Sequence, residues 1–140
     1  MLTLETARTI VAAARKKGRE LELNPLTVAV LDAGGATILL EREDGASAIR
    51  PDVAHGKAHG AVKVGMGSRG LMKRAEQQAF FIQSLNALCG GALVPVPGGV
   101  LIRDGGTVIG AVGITGDTSD NDETCAVAGI EAAGLTADAG

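Results

Sequence analysis

Residues 27–42, TVAVLDAGGATILLER, read as one β-hairpin, and residues 99–115, GVLIRDGGTVIGAVGIT, read as a second. In the first, the β-rich runs 27–32 and 36–42 are joined by Ala33-Gly34-Gly35. In the second, Arg103-Asp104-Gly105-Gly106 turns the chain between strands 99–103 and 107–115. Gly110 and Gly113 inside the long strand predict a bulge or the close approach of another backbone or a ligand. VAVL and TILL are apolar at consecutive positions, the pattern of strands covered on both faces. LVPV at 93–96 supplies the fifth expected strand. No β-α-β unit repeats, so these strands predict a mainly antiparallel sheet in an α+β domain.

Helices fill the rest. Leu4, Ala7, Val11 and Ala14 recur at helical spacing over 2–18, with Thr3 as N-cap and Gly18 as the stop. Pro51 opens a helix over 51–64, where Gly56 and Gly60 cost roughly 1 kcal/mol each against alanine, so a close neighbour is expected. Ser68 caps a short turn through Lys73, and 75–88 form a stronger helix closed by Gly90-Gly91. The last helix, 120–133, starts at Asp120 with Glu123 in capping-box spacing and stops at Gly134.

A chain of 140 residues fits one domain, 1–140, since domains typically run roughly 100–150 residues. Its 46% hydrophobic and 21% charged residues and net charge of −3 exclude a disordered chain. They also leave no basic footprint for nucleic acid. The only aromatic residues are Phe80 and Phe81, so there is no platform on which bases could stack. No apolar run is long enough to span a membrane and the N-terminus is not signal-like, which predicts a cytoplasmic protein. Cys89 and Cys125 lack metal-site spacing and are expected as free thiols.

Several residues carry chemistry. His55 and His59, the two histidines, stand four apart on one helix, so both imidazoles share a face and are candidates for an axial haem ligand or a shared metal. The alternative is a half-exposed pair without a ligand, and no third zinc ligand or HExxH glutamate accompanies them. Lys57 reads equally as an anion contact or a surface charge. Pro97-Gly98-Gly99 predicts a tight turn whose amides form an anion nest. Thr115, at the end of the glycine-bearing strand, joins the candidate ligand contacts. In GDTSDNDE, Asp120 and Glu123 are accounted for by helix capping, while Asp122 is a candidate general base. Arg50, Arg69 and Arg74 read either as the mouth of an acidic-ligand site or as solvated surface.

VAVLDAGGATILLEREDGA, AHGKAHGA, VPVPGGVLIRDGGTVIGAVGITG and DNDETCAVAGI resemble, in order and through nearly the whole chain, the GlcG/HbpS family. The DAGG hairpin, Lys57-Ala58 and Pro97-Gly98-Gly99 are its recurring marks. The resemblance implies a profilin-like fold, five antiparallel strands with helices on both sides. It also implies homo-oligomers, and members that bind haem or a related tetrapyrrole. The same module is fused to corrinoid adenosyltransferases. The leading expectation is therefore a small-ligand binder for haem, with a cleft formed against a neighbouring subunit. The alternative is a small isomerase, lyase or hydrolase in which Lys57 holds a carboxylate and His59 or Asp122 moves a proton. Composition points the same way on assembly. A mean hydropathy of +0.24, with alanines at 54, 58, 61, 126, 128 and 132, predicts faces that a second copy covers.

Overall fold

The computed structural model describes residues 1–140. Five strands form one antiparallel sheet in the order β2-β1-β4-β3-β5: β1 Thr27–Asp32, β2 Thr37–Arg42, β3 Gly99–Asp104, β4 Thr107–Thr115 and β5 Thr136–Asp138. Helices α1 (Leu4–Glu20) and α5 (Ser119–Ala132) cover one face. Helix α2 (Arg50–Val64) covers the other, flanked by α3 (Ser68–Gln77) and α4 (Ala79–Leu88). The α+β fold with helices on both sides of an antiparallel sheet is the one expected.

Alternation along β1 and β4 feeds two cores, because successive side chains leave a strand on opposite faces. Val28, Val30, Val100, Ile102, Val112 and Ile114 pack against Ile10, Val11, Ala14, Ala126 and Ile130 of α1 and α5. Leu31, Leu101 and Ala111 face Ala58 and Ala61 of α2. The adjoining row on the α2 face, Ala29–Gly113–Gly99 across β1, β4 and β3, consists of small residues only. It forms a trough that lets α2 lie at backbone distance. A Cβ on Gly113 would overlap the Ala54 carbonyl oxygen, and one on Gly99 the Lys57 carbonyl oxygen. That is the close approach predicted for Gly113.

Residues 93–96 are not a strand. Pro95 and Pro97 have no N–H to give a ladder, and the segment lies instead along the glycine face of α2. Val94 N–H donates to Gly56 O at 3.2 Å. A Cβ at Gly56 would stand 2.7 Å from Val94 Cγ2, and one at Gly60 2.8 Å from Leu93 Cγ. This segment is the close neighbour that the two helix glycines called for. The fifth strand is β5, three residues tied to β3 and held by Arg103 Nε to Asp138 Oδ2 at 2.8 Å.

Boundaries shift elsewhere for local reasons. Gly18 lies inside α1, where Leu26 packs against it, and the helix runs on to Glu20. Thr118, not Asp120, caps α5, its Oγ1 accepting from Asn121 N–H at 3.2 Å. The run expected as one helix over 75–88 is broken at Gln78 (φ −138°, ψ 61°), so the turn at 68–73 lengthens into α3. TILL is an edge strand, not a doubly covered one, with Leu40 exposed. No helix is long and apolar enough to cross a membrane.

Candidate ligand-binding groove

The sequence candidates fall into two separate places because they alternate around α2. His55 and His59 lie on its outer face, whereas Lys57, two residues from either, points the opposite way into the protein.

On the outer face the two imidazoles stack, with centroids 5.1 Å apart and planes 25° from parallel. Burial, and after it the neighbouring His59 imidazole, hold the His55 imidazole below its ordinary pKa. His59 Nδ1 lies 2.8 Å from Ala92 O, in the turn that follows α4. One helical turn on, Lys63 Nζ donates to Gly34 O of the β1–β2 hairpin at 3.0 Å. Between α2 and α4 runs a groove of about 640 Å³, walled by His59, Lys63 and Val64 on one side and Phe81, Leu85, Leu88 and Cys89 on the other. That volume falls in the range of small-molecule sites, roughly 300–1,000 Å³. A basic amine at the rim, an imidazole in the wall and aliphatic surface between them suit a flat apolar ligand that carries carboxylates.

Sequence reasoning found His59 and missed the α4 wall. The signal was present, since Phe81, Leu85 and Leu88 recur at helical spacing. A core stripe has the same spacing, so periodicity alone could not place them. In the structure only Ile82 of α4 is buried, while Phe80 is 86% and Leu88 83% exposed. The chain's only two aromatic side chains therefore both lie outside the core.

The inner cluster is closed. Lys57 is 2% exposed, and its Nζ donates to Ile114 O at 2.8 Å and to Asp122 Oδ2 at 3.2 Å. Asp122, 1% exposed, accepts the Asp117 N–H at 3.0 Å through its other oxygen. Burial pushes the Lys57 amine down and the Asp122 carboxyl up, and in each the pull of the partner is smaller. Lys57 is thus neither a surface charge nor open to an anion. Pro97, Gly98 and Gly99 are buried beside it. Gly98 takes φ +123°, and its carbonyl accepts Ile114 N–H at 2.9 Å. The Gly99 N–H, which a nest would offer to an anion, already donates to Ser68 Oγ at 2.7 Å.

Thr115 accepts from Arg50 NH1 at 2.6 Å, Arg69 pairs with Asp120 and Glu123, and Arg74 lies 5.0 Å over the Phe81 ring. The three arginines therefore do not share a mouth. Cys125 is buried, and burial raises its thiol to about 11, so it is a packing residue. The proton-moving set of Lys57, His59 and Asp122 is not assembled, because His59 stands across the helix from the other two.

The family model described as haem-degrading protein HbpS-like matches residues 2–131. An uncharacterised 15.0 kDa protein from the dhaT–dhaS intergenic region of Citrobacter freundii is 29% identical over 130 residues, 93% of this chain and 90% of that protein. Among solved structures, the Klebsiella pneumoniae protein ORFY superposes with a TM-score of 0.86 at 26% identity, over 95% of this chain and 90% of that one. A double mutant of Streptomyces reticuli HbpS gives 0.81 at 30% identity, over 93% and 85%. The fold is also that of PduOC solved as its haem complex, with a TM-score of 0.85 at 24% identity and 96% of each chain covered.

Proposed function

The chain belongs to the family of HbpS-like haem-degrading proteins, and on that premise we propose that it binds haem or a related tetrapyrrole in the α2–α4 groove. The observation that carries this reading is the state of His59. It lines an apolar groove, its Nδ1 is engaged by Ala92 O, and its Nε2 has no hydrogen-bond partner. An imidazole held through one nitrogen with the other free is the donor that haem iron takes as an axial ligand. Val64, Phe81, Leu85 and Leu88 would bury the macrocycle, and Lys63 would meet a propionate by exchanging its bond to Gly34 O. His55 stacks behind His59 and has no bond that fixes its ring, so it serves as packing. Haem would supply the iron chemistry; the residues of this chain bind and orient it. The family of haem-degrading proteins to which the chain belongs points to the same ligand.

Haem added to the purified protein is expected to give a shifted Soret band with micromolar or tighter affinity, about −8 kcal/mol or better. His59→Ala should abolish the axial signature, and His55→Ala should retain it. Identical spectra for His59→Ala and the wild-type protein would remove His59 as the ligand.

The groove is one-sided within a single chain, since Phe80 and Leu88 remain exposed along α4 and Leu40 along the edge strand. A second copy of the chain covers this surface in the proposed assembly and closes the cleft over the ligand. Light scattering after size exclusion is expected to give a multiple of 14.0 kDa. A stable peak at the chain mass would sink the shared cleft. The proposed setting is the cytoplasm, where Cys89 and Cys125, both unpaired, stay reduced.

A further inference from the structure

A backbone carbonyl decides which nitrogen of His59 carries the proton, while the Cδ2–Nε2 edge of the ring lies beside Gly35 of the β1–β2 hairpin, where a Cβ would stand 3.7 Å from Nε2. Nδ1 lies 2.8 Å from Ala92 O. A carbonyl can only accept, so the proton sits on Nδ1 and the lone pair of the neutral ring on Nε2. An unconstrained histidine side chain in water favours the opposite tautomer, so the protein imposes this one.

The position of Ala92 is set by the turn that ends α4. Cys89 closes the helix, and Gly90 and Gly91 follow with φ of +68° and +86°. Gly91 N–H donates back to Asn86 O at 2.8 Å and Ala92 N–H to Cys89 O at 3.3 Å. Neither glycine is required for space, because a Cβ at either position would meet nothing within 4 Å. Both are required for conformation: two successive left-handed residues bring the chain back over α2. The same turn carries Cys89 in the groove wall, so one short segment supplies both the wall residue and the carbonyl.

We propose that the Cys89–Ala92 turn is a positioning element of the ligand site, holding His59 in its Nδ1–H tautomer so that the Nε2 lone pair is free for a metal-bearing ligand. The metal-bearing ligand rests on the haem reading above, whereas the tautomer is a property of the ligand-free protein. Ala92 acts through His59 and not on the ligand itself. Outer-shell partners of this kind typically change affinity by about 10- to 100-fold.

The test has two arms. Long-range ¹H–¹⁵N correlation spectra of the ligand-free, ¹⁵N-labelled protein at mildly alkaline pH should show His59 protonated at Nδ1 and bare at Nε2. A proton found on Nε2 would overturn the assignment, and this arm needs no variant. In the second arm, Gly91→Val, a β-branched residue unsuited to positive φ, is compared with Gly91→Asn, which tolerates it. Gly91→Val should lose the tautomer preference and weaken haem binding about tenfold or more, while Gly91→Asn keeps both. Wild-type tautomer and affinity in the valine variant would refute the role of the turn. A wild-type protein with the Nδ1–H tautomer and no Soret response would support the positioning element and overturn the haem reading alone.

Discussion

Gly113→Ala is expected to destabilise the fold by at least about 4 kcal/mol, above the roughly 1–3 kcal/mol usual for overpacking. The new methyl would overlap the Ala54 carbonyl oxygen and crowd the Ala58 amide nitrogen, both backbone atoms of α2. A side chain can rotate away; a helix backbone moves only as a body. Lifting α2 would open the contact of Ala58 and Ala61 with Leu31, Leu101 and Ala111. It would also disturb the Lys57 bonds to Ile114 O and Asp122. The control is Gly105→Asn in the β3–β4 turn, where φ is +55° and a Cβ meets nothing within 4 Å. Asparagine tolerates that conformation, so its cost should stay below about 1 kcal/mol. Urea denaturation of both variants decides the matter. A midpoint for Gly113→Ala equal to that of the wild type would mean that α2 does not rest on the sheet backbone.

Lys57→Met is expected to lose about 3–5 kcal/mol, because it leaves Asp122 charged, buried and without its counter-ion. Asp122→Asn should cost a similar amount by stranding the ammonium. The double variant Lys57→Met/Asp122→Asn should lose less than the sum of the singles, by about 1–3 kcal/mol of coupling. Additive losses would show that the pair does not act as a unit.

The pH dependence follows from the two opposed shifts. Asp122 binds its proton more tightly folded than unfolded, so its contribution is full at acid pH and is lost as pH rises from the ordinary carboxylate range through its raised pKa. Lys57 binds its proton less tightly folded, so stability returns as pH climbs from its lowered pKa to the ordinary lysine range. Set against the double variant, the wild type should therefore be relatively least stable between those two windows. A buried pair that stabilises least at neutral pH but ties α2 to the start of α5 fits a role in fixing one arrangement of these helices, which the double variant tests through its spectral dispersion.

The hairpins were legible because their signals are local. DAGG and RDGG impose turns within four residues, and the apolar runs beside them have few other ways to be covered. Thr3 as the cap of α1 and the ends of α2 were equally local. The misreadings came where a long-range partner decides. LVPV has the composition of a strand, but Pro95 within it and Pro97 after it deny it a ladder and the glycines of α2 give it a better seat. TAD has no strand signature and becomes β5 because the edge of β3 is open beside it.

The site divides along the same line. Sequence by itself determined that His55 and His59 share one face of a helix, that Gly113 admits a close neighbour, and that the chain resembles a haem-binding family. Helical and strand periods carry that much, since they depend only on spacing. Only the tertiary structure decided that Lys57 turns inward to Asp122, because its partner lies 65 residues away and the face of α2 that meets the sheet is chosen by the glycine trough. Likewise only the fold sets α4 opposite His59 and lays Ala92 O against Nδ1. A groove between two helices, and the tautomer of an imidazole in its wall, depend on distances across the chain, and residue spacing within one element does not encode them.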